Sequence, residues 1–111
     1  VQGTKNPDRG LRDLVIEARR LLDTQLATPP TAASLARQLG VGETTLRRAF
    51  RDEFGRPMLQ YVRQQRLEQA RTLLLERRWQ VSQVAYQVGY ANPANFCHAY
   101  KAYFGHPPGS E

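Results

Sequence analysis

The chain has 111 residues, 41% of them hydrophobic, with 16 Lys and Arg against 10 Asp and Glu, a net charge of +6 and a single cysteine. That length holds one small domain with one modest core. With no apolar run near the ~18 residues of a membrane span, and no basic-then-apolar leader, a cytoplasmic protein is expected. Cys97 alone closes no internal disulfide, and Cys97, His98 and His106 lack zinc-ligand spacing, so no metal and no cofactor is expected.

Residues 1–10, which open on "VQGTKNP", read as a linker remnant without apolar periodicity. From about Asp8, Leu11, Leu14, Val15, Ala18, Leu21 and Leu22 recur at three- and four-residue steps, which predicts an amphipathic helix reaching toward Leu26. "ATPPT" ends it, because proline cannot continue a helix. Thr31 then caps a short helix, "AASLARQL", and Gly40 provides the tight exit. A third helix is predicted from about Glu43 to Phe54, burying Leu46, Ala49, Phe50 and Phe54, with Gly55 closing it. Pro57 opens a longer helix through about Arg77, with Leu59, Val62, Leu67, Ala70 and Leu74 on one stripe. After a break near Trp79, "VSQVAYQVG" forms a short helix. Asn92 caps a last one, with Pro93 at its first position, that runs to about Phe104. No strand-like alternation of useful length occurs.

The two halves repeat each other. At an offset of 49, Leu35 falls on Val84, Ala36 on Ala85, Gln38 on Gln87, Leu39 on Val88 and Gly40 on Gly89. With one residue inserted, Leu46 falls on Phe96, Ala49 on Ala99, Phe50 on Tyr100, Phe54 on Phe104, Gly55 on Gly105 and Pro57 on Pro107. Each copy reads as a short helix, a glycine-containing turn and a second helix, which describes a helix-turn-helix. The expected fold is all-α with six to seven helices: a first helix-turn-helix subdomain at 11–56, a long linker helix at 57–78, a second helix-turn-helix subdomain at 79–108 and a tail at 109–111. A linker of about 20 residues spans about 30 Å, close to the ~34 Å turn of B-DNA, so the two second helices could enter successive major grooves.

Charge points to the same partner. Residues 37–78 carry ten cations against five anions, the flanking stretches are near balance, and fourteen of the 16 cations are arginine. The arginine fork suits phosphate oxygens and guanine edges. At 100° per residue, the face opposite Leu46 carries Thr44, Arg48 and Arg51, flanked by Thr45 and Arg47. Arg47 and Arg48 lie early enough to read base edges, with a bidentate guanine contact as the leading role, and Arg51 suits phosphate. Thr44 and Thr45 offer a methyl to thymine or a hydroxyl to phosphate. The matching face of the second copy carries Ala94, His98 and Lys101, flanked by Asn95 and Cys97, a poorer set that leans on phosphate contacts such as Lys101 and on DNA shape. Helix starts near Thr31 to Ser34, and around Ser82, are further phosphate clamps.

The stretches "SLARQLGVGETTLRRAFRDEFG", "YVRQQRLEQARTLLLE" and "VSQVAYQVGYANPANFCHAYKAYFGHPP" resemble the AraC/XylS family of bacterial transcription regulators, specifically the C-terminal DNA-binding domain. The resemblance spans about Leu11 to Pro108. It implies sequence-specific binding to double-stranded promoter DNA, activation of transcription through RNA polymerase, and an N-terminal effector-sensing or dimerisation domain. Carried onto this chain, it implies base reading by Thr44, Arg47 and Arg48 in the first unit and by Pro93, Ala94, Asn95, Cys97 and His98 in the second. Gly42 departs from the family's usual Ser or Thr cap and would let the third helix fray. Cys97 and His98 stand where a hydroxyl residue and an arginine are common, and the family often continues past Pro108 into a short helix.

Two rival readings differ in class. One is a helix-turn-helix that docks proteins without specific DNA binding, against which the arginines of 44–51 argue. The other is an enzyme, for which no paired carboxylates, nucleophile with base or phosphate loop is present.

Overall fold

The computed structural model of the chain describes residues 7–111. Among these it has six α-helices and no strand: α1 (Pro7–Asp23), α2 (Ala32–Leu39), α3 (Glu43–Phe54), α4 (Met58–Leu75), α5 (Val81–Gln87) and α6 (Pro93–Phe104), then a 3-10 turn at Pro108–Ser110. The chain divides into two compact units, one running through Gln25 and resuming at Pro29–Tyr61, the other made of Leu26–Thr28 and Val62–Glu111.

In the first unit, Val15, Ala18 and Leu22 of α1 are buried, as are Leu35 and Ala36 of α2, Leu46 and Phe50 of α3, and Met58 and Tyr61 of α4. Phe50 meets Phe54 and Tyr61 edge-on at centroid distances of 4.6 and 5.5 Å, the geometry that aromatic quadrupoles favour. The Arg19 guanidinium lies 4.9 Å over Phe54. Tyr61 donates its hydroxyl to Asp23 Oδ1 at 2.5 Å, and burial together with that carboxylate pushes its phenol up to about 12. Thr31 caps α2 as expected, its Oγ1 accepting the Ser34 N–H at 3.0 Å.

The second unit closes over Leu67, Ala70 and Leu74 of α4, Val84, Ala85 and Val88 at α5, and Phe96 and Tyr100 of α6. Asn92 Oδ1 accepts the Ala94 N–H at 2.7 Å and so fixes the start of α6. Gly89 has φ +104, and a Cβ there would stand 2.8 Å from the Ala27 carbonyl oxygen. Arg66 Nε donates to the Leu26 carbonyl at 2.8 Å, holding the same backbone. The Glu111 carboxylate accepts the Tyr100 hydroxyl, lies 2.5 Å from His106 Nε2 and faces Arg71 Nε at 3.5 Å. The first two contacts hold the Glu111 carboxyl below the usual carboxylate range, against a smaller upward push from burial.

The duplication goes further than the two helix-turn-helix copies. Val15, Ala18 and Leu22 of α1 and Leu67, Ala70 and Leu74 of α4 are buried at an offset of 52, so each unit is a three-helix body with the same core register. Arg71 lies 5.4 Å over Phe104 as Arg19 does over Phe54. The helix read as a linker thus supplies a third of the second unit's framework.

Four boundaries or faces differ from the sequence reading. α1 begins at Pro7, inside the 1–10 segment read as a linker, while residues 1–6 lie outside the described residues. α1 ends at Asp23 rather than toward Leu26: Thr24 Oγ1 donates to the Leu21 carbonyl, and Leu26, buried, already belongs to the second unit. α4 stops at Leu75, short of Arg77, which takes φ +62. Leu59, placed by periodicity on the buried stripe, is 71% exposed, since Met58 and Tyr61 fill the first core and leave it about 130° from their mean direction.

Candidate nucleic-acid interface

α3 starts at Gly42, which is extended and offers no side-chain cap. The Leu46 N–H still reaches the Gly42 carbonyl at 2.9 Å, and Glu43 places an anion in the first turn, where the helix dipole favours it. The missing cap hydroxyl therefore leaves the helix start formed.

With Leu46 and Phe50 buried, Thr44, Thr45, Arg47, Arg48 and Arg51 are all exposed, as the periodicity required. Thr44, Arg47, Arg48 and Arg51 line one shallow groove with Pro57, Met58 and Leu59. Thr45 stands outside it, with its Oγ1 3.8 Å from the place a Gly42 Cβ would take. Arg47 is held by Glu43 one turn earlier: its Nε and Nη2 lie 3.1 and 2.7 Å from Glu43 Oε2. Among the described residues no intramolecular partner engages Arg48 or Arg51.

On α6, Ala94, Asn95, His98 and Lys101 are exposed, while Pro93 is half-buried. Cys97 is half-buried too and packs against the second unit's core, so it leans inward from the face assigned to it. At the start of α2 the Ser34 N–H is taken by Thr31 and the Leu35 N–H by the Thr31 carbonyl, which narrows the outward donors to Ala32 and Ala33. Ser82, in the first turn of α5, is exposed.

A family model described as a helix-turn-helix domain matches residues 35–110. A putative AraC-like transcription regulator of Streptomyces lividans is 33% identical over 101 residues, 90% of this chain and 33% of the relative. The chain belongs to the AraC-type helix-turn-helix family. The transcriptional regulator GlxA of Rhizobium meliloti is 35% identical over 89 residues, 80% of this chain and 28% of its own length. The chain thus spans about a third or less of the curated relatives it matches. Among solved structures, the DNA-binding domain of the global transcriptional factor AdpA, in complex with a target DNA, matches with a TM-score of 0.78 and 25% identity, covering 86% of each chain. The AraC-type fold explains why both units carry a short helix, a glycine turn and an exposed second helix.

Two residues escaped sequence reasoning: Glu43, which reaches the groove through Arg47, and Leu59, which lines it. Glu43 was legible in principle, since a carboxylate four residues before an arginine is the favourable order for a helical ion pair. Leu59 carried no local signal, because an exposed leucine on an amphipathic helix looks like any other.

Proposed function

We propose that this AraC-type chain binds double-stranded promoter DNA sequence-specifically, with α3 and α6 as recognition helices in successive major grooves. The observation that carries the reading is the exposed arginine face of α3, where Arg48 and Arg51 hold no intramolecular partner beside Arg47 and Thr44. Unpaired guanidinium groups on a convex helix are poised for bases and phosphates. Arg47 and Arg48 read base edges, Thr44 adds a methyl or hydroxyl contact, and Arg51 holds phosphate. Asn95 and His98 make the polar contacts of the second unit, with Lys101 on phosphate, and Ala94 and Pro93 supply close packing. The complex of AdpA's domain with its target DNA supports this use of the fold.

In the whole protein the domain serves a cytoplasmic regulator that activates transcription with RNA polymerase, governed by an N-terminal effector-sensing or dimerisation domain. No described helix is long and apolar enough to cross a membrane.

The test is the affinity of the chain for a promoter fragment of its own genome against random duplex, at two salt concentrations, beside Arg48→Ala. Specific binding that survives physiological salt, with Arg48→Ala losing about 1–3 kcal/mol mainly on the specific site, is the expected result. Equal binding of all duplexes by both proteins, released together as salt rises, would leave only an electrostatic grip.

A further inference from the structure

We propose that Glu43 is a positioning residue that fixes Arg47 as the guanine reader of α3, trading grip on random DNA for base discrimination. The inference rests on the DNA-binding reading above and deepens it.

Both contacts from Arg47 end on one carboxylate oxygen, Glu43 Oε2, and come from Nε and Nη2. They occupy the side edge of the guanidinium. The other edge, made by Nη1 and the second Nη2 hydrogen, keeps two parallel donors, and a bidentate pair with guanine O6 and N7 takes two such donors. Glu43 therefore anchors the arginine without using the atoms that would read the base. It also restrains a long side chain before DNA arrives, so less freedom is lost on binding. Arg48 and Arg51 have no such anchor and remain free to swing between phosphates and bases.

The carboxylate acts in the opposite sense on the backbone of the duplex. Glu43 is exposed on the first turn of α3, in the helix that faces the polyanion, and its charge opposes phosphate wherever no guanine engages Arg47. A repulsive element of this kind penalises wrong sites, which is how a binder gains specificity beyond adding attractive contacts. A merely structural ion pair, worth little on an exposed helix face, would have neither consequence.

The experiment uses the 111-residue chain as wild type, Glu43→Ala, Glu43→Gln, Arg47→Ala and Arg48→Ala. Each selects from a duplex pool randomised over about 20 base pairs, two turns of B-DNA. Affinity for the unselected pool is read by fluorescence anisotropy, and helicity by circular dichroism. Glu43→Ala and Arg47→Ala should lose guanine preference at the same position of the selected sequence. Glu43→Gln, whose amide oxygen still accepts from Arg47, should keep part of it. Both Glu43 variants should bind the unselected pool roughly three- to tenfold tighter, the scale of one charge removed near phosphate. The proposal is overturned if Glu43→Ala keeps the wild-type guanine preference, or alters a different position from Arg47→Ala, as direct reading of a cytosine by Glu43 would. It is also overturned if Glu43→Gln or Glu43→Ala, with wild-type helicity, binds the unselected pool no tighter than wild type. A wild type that enriches no sequence overturns the DNA-reading proposal itself, and that result stands apart in the wild-type arm alone.

Discussion

Gly40 and Gly89 occupy the same place in the repeat, yet replacing each with alanine should have different consequences. Gly40 has φ +74 and nothing within 4 Å of an added Cβ, so alanine there meets only backbone strain. A left-handed L-residue costs about 1–2 kcal/mol, partly offset by the ~0.4–1 kcal/mol by which alanine restricts the unfolded chain, leaving roughly 1 kcal/mol. Gly89 adds a collision to the same strain: its Cβ would lie 2.8 Å from Ala27 O, 2.9 Å from Ala27 Cα and 3.0 Å from Arg66 Cζ. Two of those atoms are backbone and cannot swing away. The third belongs to the side chain that donates to the Leu26 carbonyl at 2.8 Å, so relieving the clash displaces a charge-assisted hydrogen bond worth about 1.5–3 kcal/mol. Gly89→Ala should therefore cost roughly 2.5–4 kcal/mol, about 1.5–3 more than Gly40→Ala. Circular dichroism through a urea titration reads the helices of both units, and the fluorescence of Trp79, the sole tryptophan, which packs against the second unit's core, reads the unit that contains Gly89. Equal midpoint shifts for the two variants would refute the close-approach argument and reduce both glycines to helix exits.

Other expectations follow from the same geometry. Lys101→Ala should weaken binding of specific and random duplex alike and lower the slope of log K against log salt by about 0.9; a sequence-dependent loss in salt titrations would give Lys101 a base contact instead. Tyr61, with its phenol raised to about 12 beside Asp23, binds its proton more tightly folded than unfolded. Its contribution is thus fully present below about 10 and is lost as pH rises toward 12; Tyr61→Phe should flatten that part of the alkaline stability curve, read by urea melts between pH 9 and 12. Glu111 has the opposite sign: with its carboxyl held low by Tyr100 and His106, its contribution is present above the ordinary value of 4.5 and is lost as pH falls through its lowered folded value. Glu111→Gln should remove that share of the acid dependence, and a variant curve parallel to wild type below pH 5 would contradict it.

Much of this protein was legible because its signals are local. Thr31, Asn92 and Pro93 mark helix starts through hydrogen bonds or φ values set within a turn, and α2 and α6 run over the spans those residues announced. The exposed arginines of α3 follow from Leu46 and Phe50 alone, since two core positions orient the rest of a short helix. The correspondence of α1 with α4 was not legible, because only four apolar positions and one arginine repeat, at an offset different from that of the following helices. Cys97, on the flank of the outward face by angle and among the base readers by resemblance, is half-buried, and how far it packs inward is set by the second unit's core.

The sequence by itself determined the helices, the helix-turn-helix repeat and the exposed arginine face of α3, since caps, periodicity and charge act over a few residues. Tertiary structure alone decided that Leu59 stays outside while Met58 and Tyr61 go in, and that Gly89, unlike Gly40, must have no side chain. Those outcomes depend on which distant segment arrives at a position, and the Ala27 backbone 62 residues before Gly89 leaves no mark in the residues around it.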